Sequence, residues 1–406
     1  MRRLPIIFQA FALLILGFAC QWQEPATINE ALFSRIIGNG QQVEAKDLVE
    51  HEGLYWVLAK EVLGGGDSSR ILLYQLNQEG IQIHADSFNL NGLTEPQQLI
   101  LAEDGTLFVA GTHQGKGQNT NELFLFEVSN GQASDIIYSN QPNFSFTLAD
   151  VKVWGGEAVL IGAYTENGLS ASNSFLFTAL NGVLAPRVVV DEQPNANVAC
   201  KGVDSGLDAA FPYFYLGESD KQAQDLAGRN LRIMMIEQDL NNKSTRDLFF
   251  GTSANDHLVD FIDDTGDLLL LFYAETNTLD TKVYLHRLRS MVSDRVDSEQ
   301  NFAPVWLTPK ELFASSPLIP VSISKLGSGN FLIGAKSALA AGQDLYFMKI
   351  DPSGNPLYDQ WLPIGGRGLE TIVKIFTESD GSVVTLSTVN FQNNHTAVHL
   401  TRTILP

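Results

Sequence analysis

The chain has 406 residues, 44% of them hydrophobic and 18% charged, enough to bury the core of one large or two medium domains. Its 26 basic residues against 46 acidic ones give a formal charge of −20, which excludes a general nucleic-acid binder and an electrostatic hold of the folded body on an anionic bilayer. Two cysteines exclude a disulfide framework or a cysteine zinc site, and a mean hydropathy of +0.00 with 34 glycines excludes a disordered chain or a polytopic membrane protein.

In chain order, the N-terminus MRRLPIIFQAFALLILGFAC has a positive start at Arg2 and Arg3, then a run from Leu4 to Phe18 that is apolar apart from Gln9. It is shorter than the ~20 residues of a comfortable membrane span and ends in small residues, the layout of a secretory signal peptide over residues 1–19. Gly17-Phe18-Ala19-Cys20 resembles the lipobox of bacterial lipoproteins, although Gly17 stands where that motif usually has Leu. The resemblance implies lipidation at Cys20, and hence a palmitate-type membrane anchor; an ordinary leader or anchor helix with Cys20 incidental is the alternative. Removing residues 1–19 takes away two arginines and no acid, so −20 becomes −22. Gln21, not an aspartate, follows the cysteine; by resemblance to lipoprotein sorting in enteric bacteria this implies the outer membrane, facing periplasm or exterior. Residues 20–30 read as a tether. Cys200, among apolar neighbours and far from any histidine in sequence, reads as an inert thiol.

Residues 31–406 form one domain without a sustained helical period. Segments of 5–8 residues rich in Val, Ile, Leu, Phe and Tyr alternate with Gly, Asn and Asp turns, which predicts an all-β fold. A glycine turn precedes a very apolar strand at Gly53, Gly105, Gly156, Gly266, Gly329 and Gly381, spaced 52, 51, 110, 63 and 52 residues, and 110 is two repeats. A fainter copy, AAFPYFYLG (209–217), fills that gap. Third strands starting at Ile71, Leu123, Phe175, Leu231, Val283, Leu345 and Ala397 repeat at 52, 52, 56, 52, 62 and 52. Seven such units predict a seven-bladed β-propeller, because a blade buries both faces only by packing on neighbours. The last unit stops at its third strand, and ALFSRII (31–37) stands unpartnered at the other end; pairing the two would close the ring and remove two exposed edges. A plain tether over residues 25–40 is the alternative. GNFLIGAKSALAAGQDLYFMKIDPSGNPLYDQW (329–361) resembles bacterial surface propeller repeats of the form G-G-Y-I-V-A-G…D-x-Y-L-I-K-x-D-x-x-G-N. That resemblance implies a propeller outside the cytoplasm and carries no activity with it.

Chemistry is sparse. There is no G-x-S-x-G elbow, P-loop, H-E-x-x-H or EF-hand spacing. GGGD (64–67) and GKGQ (115–118) read as turns between second and third strands. His395 and His399 would lie about 13 Å apart on a strand, too far to share one metal. His286 and His399 are placed at one repeat position, where other units carry Phe347 and Leu125, and read as packing residues. Asp47, Asp150, Asp256 and Glu370 are expected on the innermost strands at the channel mouth, where they would hold a hard cation such as Ca²⁺ or another ligand, or act as an acid/base pair; capped structural acids are the alternative. The aromatic stretch 201–219 is a recognition loop or a divergent blade, and FIDDTGD (261–267) a weak Ca²⁺ loop or a solvated hairpin. Three functions follow: a non-catalytic binding or assembly lipoprotein for a protein or glycan partner, an extracytoplasmic polysaccharide enzyme using the channel carboxylates, or a structural envelope component. Nucleic acid is not an expected partner, and no cofactor is expected beyond weak Ca²⁺.

Overall fold

The computed structural model describes residues 31–38, 42–64, 66–102, 104–129, 132–154, 157–166, 172–180, 183–189, 201–204, 214–220, 230–236, 248–252, 254–264, 267–275, 281–290, 302–306, 308–316, 318–337, 345–358, 361–364, 369–391 and 395–405. The leader, Cys20, the tether, Cys200 and residues 205–213 of the aromatic stretch 201–219 lie outside this set. Among the described residues there are strands and turns and no helix, and the strands pair into seven antiparallel sheets of four or five strands.

The first sheet sets the pattern. Val43–His51, Leu54–Leu63, Ser68–Leu76 and Gln82–Phe88 follow one another and pair in that order. The tight turn into the second strand is possible because Gly53 takes a φ of 75°, open to glycine at little cost. Gly105, Gly329 and Gly381 repeat this at 85°, 80° and 83°; Gly156 and Gly266 lie outside the described residues. Gly64 and Asp67 fall between the second and third strands of the first sheet, and the strand Leu107–Gly115 ends where Gly115–Gln118 begins, as the sequence indicates.

The first strands of the later sheets are Gly92–Leu101, Phe144–Trp154, Lys201–Asp204, Asn255–Asp264, Leu318–Lys325 and Leu369–Thr377. Each packs against the first strand of the next sheet, and the last packs back on Val43–His51. These strands surround the axis of an all-β propeller. The final sheet runs Ala31–Ile37, His395–Ile404, Ser382–Phe391, Leu369–Thr377, so the N-terminal strand pairs antiparallel with the C-terminal one, from Ala31 opposite Thr403 to Ile37 opposite Val398.

The core lies between sheets, not within one. Val43, Tyr55 and Val57 of the first sheet pack with Leu386 and Val398 of the last, and Phe33 and Ile37 of the N-terminal strand join them. Comparable clusters join the first sheet to the second, the second to the third, the fourth to the fifth, the fifth to the sixth and the sixth to the last. Second strands come so close to their inner neighbours that glycine is required at one point: a Cβ on Gly111 would collide with the Glu95 carbonyl, and one on Gly162 with that of Thr147.

Candidate functional site: the central channel

The inner strands share one irregularity. In six of them the pairing to the second strand slips by a residue: between Ala45 and Asp47, Pro96 and Gln98, Leu148 and Asp150, Leu258 and Asp260, Pro320 and Ser322, and Ile372 and Lys374. Each slip is a β-bulge, which bends the strand and re-aims the side chain that follows. The bulges enclose a cavity of about 480 Å³ on the axis, lined by Lys46, Asp47, Asp150, Lys152, Asp260 and Lys374 among others.

The carboxylates after the bulges staple neighbouring blades together. Asp47 is buried; its Oδ1 accepts the amide of Leu48 at 2.8 Å and the Lys374 ammonium at 2.6 Å, and its Oδ2 accepts the amide of Leu99, in the next sheet, at 2.8 Å. Asp260 repeats the motif, accepting from its own neighbour Phe261 at 3.0 Å and from Ile323 of the next sheet at 3.2 Å. Asp150 accepts the Val151 amide at 2.9 Å and the Gln98 side chain at 2.6 Å, with Lys152 at 3.6 Å. Burial works to lower the Lys152 ammonium, but Asp150, Asp260 and Asp47 together outweigh it and hold it above its ordinary range. Lys374 with Asp47 and Lys152 with Asp150 thus pair at the cavity, while Lys46 pairs with Glu44 and Glu95.

Of the four predicted channel acids, Asp47 and Asp150 line this cavity; Asp256 and Glu370 do not. Each of the latter lies four residues before its strand's bulge position, about 13 Å along the strand, and the intervening extra residue turns it to the opposite face. Asp256 is fully buried and caps the preceding turn, accepting from the Thr252 amide at 2.6 Å and hydroxyl at 2.7 Å. Burial pushes its carboxyl above the usual range, against the lowering effect of those bonds. Glu370 is buried in the closing sheet beside His399. Asp260 belongs to the site in their place: it follows its bulge as Asp47 and Asp150 do, a feature that shows in the strand pairing and not in the sequence.

The histidines also need correction. Aligned on the bulges, His286 corresponds to Met348 and Phe126, whereas His399 corresponds to Tyr346 and Phe124, two residues away in the repeat. His286 is nevertheless a packing residue, buried with its ring 5.4 Å from that of Phe250. In the FIDDTGD turn the described acids Asp264 and Asp267 are committed to ion pairs. Asp267 accepts from Arg287 and Arg289 at 2.9 Å each, and Asp264 pairs with Arg287 and, at 2.6 Å, with Lys325. Among the described residues no group of three or more His, Cys, Asp or Glu side chains is arranged to hold a metal ion.

This architecture, sheets packed face to face around an axial channel, defines a β-propeller. No family model matches the chain, and no curated protein does. Among solved structures it is similar to a puromycin-hydrolysing peptidase of Mycobacterium tuberculosis, at 10% identity over 88% of this chain and 50% of that one, with a TM-score of 0.51. It is also similar to the β-propeller domain of the Trilobed protease from Pyrococcus furiosus, at 10% identity over 91% and 97% with a TM-score of 0.49. A prolyl endopeptidase is matched at 12% identity over 93% and 51% with a TM-score of 0.47. The chain spans about half the length of the first and last of these, and at such identities the likeness is one of fold.

Proposed function

We propose that this protein is an outer-membrane lipoprotein whose body, a seven-bladed ring closed by its own N-terminal strand, binds or assembles a protein or glycan partner. Anchorage runs through lipid on Cys20, with residues 1–19 removed and residues 20–30 as the tether, and the body faces the periplasm or the exterior. The observation that carries the binding reading is the commitment of the channel acids. Asp47, Asp150 and Asp260 already accept backbone amides and lysines, so they are poor candidates for proton transfer to a sugar oxygen. A polysaccharide enzyme needs two carboxyls across a scissile bond with one kept protonated; acids held by lysines and backbone amides are ill suited to that role. The net charge of −20 disfavours nucleic acid as the partner.

The test is affinity capture from detergent-solubilised envelope, run beside Cys20→Ala, with metabolic palmitate labelling of both. A labelled wild type that retains a stoichiometric partner, lost along with the label in the variant, is the expected result. An unlabelled, partner-free monomer would remove both the anchor and the assembly role.

A further inference from the structure

The closing sheet brings together three residues that the channel does not use. Ser34 of the N-terminal strand, His399 of the C-terminal strand and Glu370 of the innermost strand lie across a single sheet. The Ser34 hydroxyl is 2.8 Å from His399 Nε2, and His399 Nδ1 is 3.2 Å from Glu370 Oε1. Exposure is graded along this row: Glu370 is 5% exposed, His399 9%, and Ser34 faces solvent. Ser387 donates to the other Glu370 oxygen at 3.4 Å.

From this arrangement we propose that Ser34, His399 and Glu370 form a serine-hydrolase triad, with carboxylic esters as its substrates. It goes beyond the binding reading and does not rest on it. The atoms are in the required order. A carboxylate facing Nδ1 keeps a proton on that nitrogen, leaving Nε2 to accept from the serine hydroxyl. The Nδ1 contact falls short of good hydrogen-bond geometry, as catalytic contacts in unliganded enzymes often do. A simple clasp for the closing strand would be met more stably by apolar side chains than by a buried acid and imidazole.

The surroundings supply the remaining parts. Thr401 lies directly opposite Ser34 in the pairing, its side chain on the same face, within reach of an oxyanion formed at Ser34. Among the described residues, Ala31–Ile37 pairs with His395–Ile404 and nothing else. On such an edge alternate amides point away from the sheet, so one of the adjacent N–H groups of Ser34 and Arg35 is directed outward as a second donor. Leu32 and Ile36 flank Ser34 along the strand and are 48% and 53% exposed, which suits an apolar acyl group.

In the reaction, Ser34 Oγ attacks the ester carbonyl carbon as its proton passes to His399 Nε2, and the carbonyl π pair moves onto the oxygen. Collapse breaks the bond to the leaving alkoxide, which takes the proton from Nε2 and departs as an alcohol. Water then attacks the acyl-Ser34 ester by the same proton route, releasing the carboxylic acid and restoring the serine.

The test uses the folded protein with p-nitrophenyl butyrate and, separately, a fluorophosphonate probe whose site of attachment is mapped by mass spectrometry. Expected are hydrolysis above the buffer rate and a single adduct on Ser34. Ser34→Ala should abolish both. Glu370→Gln should fold with an unchanged melting profile yet lose roughly a thousandfold or more in rate, since the imidazole is then held in the wrong tautomer. Absence of an adduct on Ser34 of the folded wild type, or ester hydrolysis undiminished by Ser34→Ala, overturns the triad. The adduct map reads Ser34 directly in the wild type, so the triad is tested whether or not every variant folds.

Discussion

His286 shows how a single buried group ties stability to pH. Burial lowers its imidazole from the usual 6.5 to about 4, so it folds neutral. Between pH 6.5 and 4 the unfolded chain binds a proton that the folded one refuses, and stability therefore falls as the pH drops through that window. The full effect, reached below pH 4, is about 3 kcal/mol. His286→Met, the residue at the equivalent place in the sixth sheet, should flatten the acid limb of the denaturation midpoint against pH by that amount while leaving the pH 8 value nearly unchanged. An unaltered acid limb in the variant would locate the sensitivity elsewhere. The same scale shows why the candidate site was only half legible in the sequence. In sequence Asp256 and Glu370 each precede a short apolar run, His-Leu-Val and Thr-Ile-Val, much as Asp47 precedes Leu-Val. One extra residue in each bulge, invisible to motif matching, turns them off the channel and puts Asp260 there. The Ser34–His399 contact joins positions 365 residues apart, and no repeat unit contains both.

At the scale of the element, the inner strand with its bulge is the unit that repeats. Its period could be read because the glycine turns and apolar second strands recur; its energetics could not, because the bonds that matter cross from one repeat to the next. Asp47 holds two amides and one ammonium from three different strands. Asp47→Ala leaves the Leu48 and Leu99 amides buried without acceptors and Lys374 without its partner. The expected loss is roughly 2–5 kcal/mol, measured as a shift in the denaturant midpoint. Asp47→Asn, which keeps one acceptor oxygen, should cost visibly less. Equal midpoints for wild type and Asp47→Ala would show that the staple adds nothing to the seam. The fourth sheet was the hardest to read from sequence, since the copy at 209–217 lacks the clear turn that marks the other units.

Across the whole molecule, the all-β propeller and its β-rich repeat were legible, because a blade's need for neighbours forces a regular spacing on the chain. The pairing of the first strand with the last also follows from counting: one unit lacks a strand and one strand lacks a unit. Deleting residues 31–37 should therefore do more than remove a segment. It withdraws Phe33 and Ile37 from the cluster shared with the first sheet and bares an edge of the last sheet, which invites pairing between copies. Light scattering on the truncated protein should show dimers or larger species and a lower melting temperature. A monomer that melts with the full chain would mean that the ring holds without its clasp.

That clasp also has a mechanical side. The strand begins at Ala31, opposite Thr403 near the chain's other end, and runs inward to Ile37 before the first sheet starts. Any pull on the chain ahead of Ala31 therefore reaches the fold first at this one antiparallel pair, and the rest of the propeller bears load only after the pair has yielded. Ser34, three residues from the point where the force arrives, would be drawn from His399 before any blade moved. Tension on the N-terminus would thus act on this seam as a ripcord, loosening it first and leaving the axial bulges for last.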